Sequence, residues 1–524
     1  MKKHLNIKTT LYSFQAVLVV LISVGVLPRY YSFFVAGAVL LYILFADWID
    51  ALCFSIASIP FYVALPITAS MDRFMIWRFV FLELFVLLIV KNREYILENL
   101  KRIREKFTVI SFRKDFLRCH VIELGALILA LIATASLFGA VDKSAGIKRI
   151  IYFLNIFIFY FVIAYGIRSI DEVKKVIKSL AVAGGVFVSV GFLQLIALYF
   201  IPYQSFWAFW SEKVIKAFYG QQLSQFLSFN NTWFAFSSSG SASLRMFSFL
   251  PTSHAFAMIM ILLIPVPFAL YYLREENIKS KILLWTSLAF LMLGVILSGS
   301  RGSWVSIAIV FCAVTVMWFF KKIANMDRKL YLKKIFYLIL LFTILFPLSP
   351  VILRTNNLDS SSLGRIWSVK DTDEISNKTR LEIWNISLNS IKKNPVLGTG
   401  LSNFSAEISK FGEKYKTTSH NIFLYVATEI GILGALIMLG MCILLIKDLL
   451  EEFYLSDSSF LKMVFLGTII GVIWILGYSL IIDELLNADK TTIIFITIIG
   501  ICYAIRRIQK RKRDAIGFGG SDVV

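Results

Sequence analysis

Cysteine and histidine are scarce in this chain of 524 residues, which has five of the first and four of the second. Cys53, Cys312, Cys442 and Cys502 lie in apolar runs and Cys119 in a basic stretch. That scatter excludes a cysteine metal cluster and a disulfide framework. Charge is thin as well: Asp, Glu, Lys and Arg make up 17% of the chain against 58% hydrophobic residues. A soluble domain carries a larger charged share and far fewer apolar residues, so that class is excluded. No internal repeat or low-complexity tract stands out. The first apolar run, Leu11 to Leu27, has no small-residue cleavage signature and leads into another apolar run, so it reads as a retained helix.

What is present is apolar length. Segments at about 11–27, 31–46, 50–66, 74–90, 121–140, 150–167, 179–201, 251–272, 281–297, 304–320, 335–352, 421–446, 460–481 and 490–505 approach or reach the roughly 20 residues that a helix needs to cross a bilayer. The fold class expected is an all-α polytopic membrane protein of about 14 transmembrane helices. Two breaks, at about 202–250 and 353–420, are too long for simple connectors. The second is expected to be a large extracytoplasmic loop carrying short helices. Three regions follow: 1–240 with the first helices and first long loop, 241–446 with the chemistry, and 447–524 with the last helices and a basic tail.

The formal net charge of +21 does not point to nucleic acid, because of where it sits. Basic residues crowd the breaks 91–120, 321–334 and the tail Arg506–Arg513, whereas short breaks on the other side hold few. The positive-inside rule then places both termini in the cytoplasm and the two long loops outside. Membrane lipids are the expected partner of the basic face, in a multi-pass inner-membrane protein. Trp207, Phe206, Trp210, Phe218, Tyr219, Phe226 and Trp233 in the first long loop suit an interfacial helix or stacking on sugars.

Candidate chemistry gathers on the outer side. Thr379-Arg380-Leu381-Glu382 fits a capping box, with Trp384, Leu388 and Ile391 at helical spacing behind it. That puts Arg380 in a first turn, where a guanidinium suits a phosphate. Arg301, in Ser298-Gly299-Ser300-Arg301-Gly302, follows a potential Ser300 cap at the membrane edge. His420 follows Ser419, a plausible cap, and Asn421 is its neighbour. A helix N-terminus keeps a histidine neutral and able to accept a proton. His254, after Pro251-Thr252-Ser253, competes for that role, and Arg245 precedes it. A surface arginine, a snorkelling arginine and a structural histidine are the bland readings of the same residues. Asp371 and Asp373, in Asp371-Thr372-Asp373-Glu374, offer a rival divalent-metal site.

Several of these segments resemble the O-antigen ligase/polymerase family. The run Asn394-Pro395-Val396-Leu397-Gly398-Thr399-Gly400-Leu401-Ser402-Asn403-Phe404 carries the likeness most strongly. Ser419-His420-Asn421-Ile422-Phe423-Leu424 and Glu429-Ile430-Gly431-Ile432-Leu433-Gly434 follow at family-like spacing. Ser298–Gly302 resembles the family's earlier arginine motif, and Arg380 with Trp384 its arginine and tryptophan. Arg245, Phe249 and Pro251 match an upstream element less closely, because Thr252, Ser253 and His254 stand where the family often has Asn.

The resemblance covers roughly 245–435. It implies a glycosyltransferase-C-like architecture and metal-independent glycosyl transfer without cofactor at the periplasmic or exterior face. The donor it implies is an undecaprenyl-pyrophosphate-linked oligosaccharide, and the acceptor a glycan or lipid-linked glycan. By this resemblance Arg301, Arg380 and Arg245 would bind the pyrophosphate and His420 would act on the acceptor hydroxyl, with His254 and Asn421 secondary. The reaction would polymerise surface-polysaccharide repeats, or ligate the glycan to lipid A core or protein. A lipid-linked glycan flippase is the alternative from another class; it would favour paired charges along a central cavity.

Overall fold

The computed structural model describes residues 2–68, 71–91, 93, 101, 120–229, 232–236, 242–273, 277–319, 328–348, 375–409 and 418–518. Within them, eight helices are long and apolar enough to cross a membrane: Val121–Gly139, Lys143–Gly166, Ile170–Ala197, Ser253–Leu273, Ile278–Leu297, Ile422–Leu455, Ser459–Ser479 and Asp489–Asp514. Shorter apolar helices cover Ile7–Ser23, Arg29–Phe45, Trp48–Ala57, Arg301–Cys312 and Phe336–Leu345. The protein is a predominantly helical, multi-pass membrane protein by length and composition, with two short strand pairs.

One expected span is not a continuous helix. In the 50–66 segment the Trp48–Ala57 helix gives way to a 3-10 turn at Ile59–Phe61, and Ala64–Leu65 then pairs antiparallel with Phe74–Met75. Pro60 removes a backbone donor at the break. Ten helical residues rise about 15 Å, half of the roughly 30 Å hydrocarbon core. Backbone freed at such depth must find partners inside the protein. Here Lys490 Nζ donates to the Pro60 carbonyl at 2.9 Å and the Tyr62 hydroxyl to the Ser55 carbonyl at 2.7 Å.

Proline also divides the 251–272 segment into helices Ser253–Leu262 and Pro265–Leu273. Gly467 lets Pro265 lie against the Ser459–Ser479 helix, where a Cβ would strike the proline Cα. That helix is the bundle's centre, with 89% of its apolar window buried, while Val121–Gly139 at 17% lies outermost.

The Ile422–Leu455 helix is kinked at Gly431, whose φ is +84°. The Pro395–Gly400 turn docks into the kink. Ile432 N–H donates to the Pro395 carbonyl at 2.9 Å, Thr399 N–H to Thr428 at 2.8 Å and Gly400 N–H to Glu429 at 3.0 Å. A Cβ on Gly431 would run into the Val396 carbonyl. The two glycine motifs are thus halves of one joint.

Two groups of polar contacts tie the helix ends together. At one end Arg506 pairs with Asp448, Arg513 with Glu452, and Arg507 donates to the Tyr165 and Ile167 carbonyls. At the other, Asn403 Nδ2 donates to the Asp142 carbonyl, Thr418 reaches Asp483 and Asn421 reaches Leu480. The first long loop packs on this second end. Of its aromatic residues Phe226 is exposed and Trp207 and Trp210 are half-buried, whereas Phe206, Phe218, Tyr219 and Trp233 are buried, Trp233 stacking on Phe247 with centroids 4.7 Å apart. Turning inward they bury more area than a surface row would.

Candidate active site

His254 is the geometric middle of the site. Thr252 caps its helix, accepting from Ala255 N–H at 3.1 Å, so the histidine sits in the first turn. Its Nδ1 lies 2.9 Å from both the Ser300 hydroxyl and the Tyr478 hydroxyl, which also bond to one another. The charges of Arg245, Arg380, His420 and Arg301 all bear on its ring. Four sequence segments, far apart in the chain, therefore meet around this imidazole.

Each arginine is placed by a different device. Arg245 follows the strand Ala242–Leu244, and its N–H donates to the Trp233 carbonyl at 2.7 Å. Buried Gln194, from the Ile170–Ala197 helix, holds the next stretch: it accepts from Ser248 N–H at 2.8 Å and donates to the Ser248 carbonyl at 3.0 Å. Arg301 opens its helix two residues after Gly299, whose φ is +64°. A Cβ on Gly302 would crowd the Tyr478 ring at 3.0 Å. The glycines keep the Arg301 turn tight against the tyrosine that contacts His254.

Arg380 departs from expectation. Its helix runs Ile375–Lys393, so Thr379 is not a cap and Arg380 is not in the first turn. Residues 375 to 379 include no proline or glycine to stop the helix, and further along Ile383 packs on Phe404 and Ile408. Leu388 is exposed, so the buried face runs through Ile383, Ser387 and Ile391. Arg380 thus lies inside its helix, past the free N–H groups of the first turn.

His420 also differs in its surroundings. Asn421, not Ser419, caps the Ile422–Leu455 helix, its Oδ1 accepting from Phe423 and Leu424 N–H at 3.0 and 3.1 Å. Asn421 Nδ2 donates to the Leu480 carbonyl at 3.0 Å, so both ends of its amide are spent on structure. His420 lies one residue before the cap with φ +51°. Its pKa is lowered to about 4 by burial first and by the Arg380 charge second. The ring is neutral at physiological pH.

Two acidic residues belong to the neighbourhood that the sequence reading passed over. Asp483 accepts from the Thr418 hydroxyl at 2.8 Å. Burial pushes its pKa up to about 6 and that of Glu484 to about 7, Asp483 adding to the rise at Glu484 and a Thr252 hydrogen bond opposing it. An acidic pair in a short break between two spans was the signal available. Asp371 and Asp373 lie outside the described residues.

Helices long and apolar enough to cross a membrane thus bring Arg245, Arg301, Arg380, His254 and His420 into one neighbourhood. Residues 286–439 match the family model for O-antigen ligase, and the match supports the O-antigen ligase/polymerase family and its type of activity. The matched region contains Arg301, Arg380 and His420; Arg245 and His254 lie before it. No curated protein is significantly similar to the chain. The family implies a lipid-linked glycan donor with an acceptor in the membrane of the bacterial envelope.

Proposed function

We propose that the protein transfers a glycan from undecaprenyl pyrophosphate at the outer face of the inner membrane, polymerising surface-polysaccharide repeat units. The observation that supports it best is the meeting of Arg245, Arg301, Arg380 and His420 around His254. Three guanidiniums in one partly buried site suit the pyrophosphate of the carrier, which departs with the electron pair of its bond to the anomeric carbon. They supply the positive charge that a divalent ion supplies in other transferases.

The acceptor hydroxyl attacks that carbon, and its proton passes to the His420 ring in a single inverting displacement. A ring with a pKa near 4 is a weak base in the unliganded protein. A pyrophosphate bound to Arg380 offsets the charge that helps to depress it, so donor binding itself raises the basicity of His420. Base and donor are thereby coupled, which limits loss of the glycan to water. The reading in which lipid A core is the acceptor uses the same residues, and the family's description supports it.

The test is turnover of a lipid-linked oligosaccharide by purified wild type and by His420→Ala, Arg301→Ala and Arg380→Ala. Ladders on the lipid carrier alone support polymerisation; transfer only to core supports ligation. Full activity in all three variants excludes the site.

A further inference from the structure

Beside the arginine cluster lies a polar cavity of about 190 Å³, lined by Arg149, Ser405, Thr418, Tyr425, Glu429 and Asn487 among others. None of Arg245, Arg301 and Arg380 lines it, whereas Thr418, two residues before His420, does. Exposed Ser405 stands at its mouth.

Its walls are held firmly. Arg149 donates to the Asn487 side chain and to the Leu486 carbonyl at 3.1 Å, and its guanidinium covers the Tyr152 and Phe153 rings at 4.9 and 4.7 Å. The Ser402 and Phe404 N–H groups and the Tyr425 hydroxyl bond the Glu429 carboxyl. Yet Glu429 Oε2 and Arg149 Nε are both buried with no hydrogen-bond partner in the protein. Glu429 is only 2% exposed, and one carboxyl oxygen left without a partner at that depth is costly. An ionisable group within a membrane helix usually marks a substrate path.

We propose that this cavity is a subsite for one sugar ring of the acceptor, an inference that rests on the glycosyl-transfer reading. A sugar hydroxyl is both donor and acceptor, so one such group donates to Glu429 and accepts from Arg149. Neither a phosphate nor an apolar chain satisfies both. The volume exceeds by several times the roughly 30 Å³ share of one water, and Tyr425 supplies a ring face for the sugar's C–H surface. The cavity's place past Thr418, with none of Arg245, Arg301 and Arg380 in its lining, puts its occupant on the acceptor side of His420.

The test uses the full chain in lipid nanodiscs and a panel of methyl hexosides and methyl N-acetylhexosaminides, with binding read by saturation-transfer NMR. At least one glycoside is expected to bind wild type and Arg301→Ala alike. Ser405→Trp, which plugs the mouth from an exposed position, and Glu429→Gln are expected to weaken that binding tenfold or more. Because Glu429 also braces residues 402–404, Ser405→Trp is the deciding variant, with thermal unfolding of both monitored. Absence of glycoside binding to wild type, or binding unchanged in Ser405→Trp, overturns the subsite. Turnover is measured in parallel: an acceptor KM unmoved in Ser405→Trp sinks the subsite and spares the transfer reading. Wild type that binds glycoside but transfers nothing sinks the transfer reading instead.

Discussion

The Trp384 indole donates to the Ser419 carbonyl at 3.0 Å, which ties the helix carrying Arg380 to the residue directly before His420. Two groups assigned to opposite sides of the reaction, one to the leaving pyrophosphate and one to the attacking hydroxyl, are thereby held at a fixed separation. Separations of this kind matter because a misplacement of about 1 Å can cost about a hundredfold in rate.

Trp384→Phe keeps the ring and removes only that donor. Its stability cost is about 1 kcal/mol, the usual worth of one neutral hydrogen bond. The expected kcat loss is about tenfold or more, because His420 loses its register with Arg380. Steady-state kinetics beside a thermal melt check this; a kcat within twofold of wild type contradicts it.

The pH profile should report His420. Protonated imidazolium cannot take the acceptor's proton, so kcat/KM falls as pH drops through the ring's pKa, about 4 in the free protein. Arg380→Gln removes the second cause of that lowering and leaves burial in place. Activity drops, and the acid limb of what remains moves to higher pH. An unmoved acid limb dissociates the limb from His420.

Gly431→Ala tests the joint between the two glycine motifs. The left-handed backbone there costs a non-glycine residue about 1–3 kcal/mol, and the overlap with the Val396 carbonyl adds to it. A clear fall in Tm is expected, together with lost transfer, since the 398–404 run can no longer seat. A Tm within a degree of wild type contradicts this account of the kink.

How much of this was legible in the sequence differs by element. Apolar length gave the spans wherever a helix continues unbroken, as at Lys143–Gly166 and Ser459–Ser479. It misread 50–66, because hydropathy does not register that the helix ends before Pro60 and that Lys490 pairs with the freed carbonyl. Local capping patterns misplaced two helix starts: one helix begins before Thr379, and Asn421 rather than Ser419 caps the other. The arginines were visible from motif and side, but what gathers them was not. Tyr478, Ser300 and Gln194 are ordinary residues in sequence, and their roles arise only when four segments are brought together.

Metal independence is open to a direct check. With three guanidiniums serving the pyrophosphate, transfer should continue unchanged in excess EDTA. Activity abolished by the chelator and restored by a divalent cation would instead turn attention to Asp371 and Asp373.

The central claim is that Arg301, Arg380 and His420 work on one lipid-linked glycan. It is tested most directly by in vitro turnover of an undecaprenyl-pyrophosphate oligosaccharide in proteoliposomes, wild type against the three alanine variants. The account predicts glycan extension or transfer by wild type. It predicts a loss of about a hundredfold or more in each variant, on the scale of removing a charged transition-state contact or a general base. Wild-type activity retained in all three variants would contradict it.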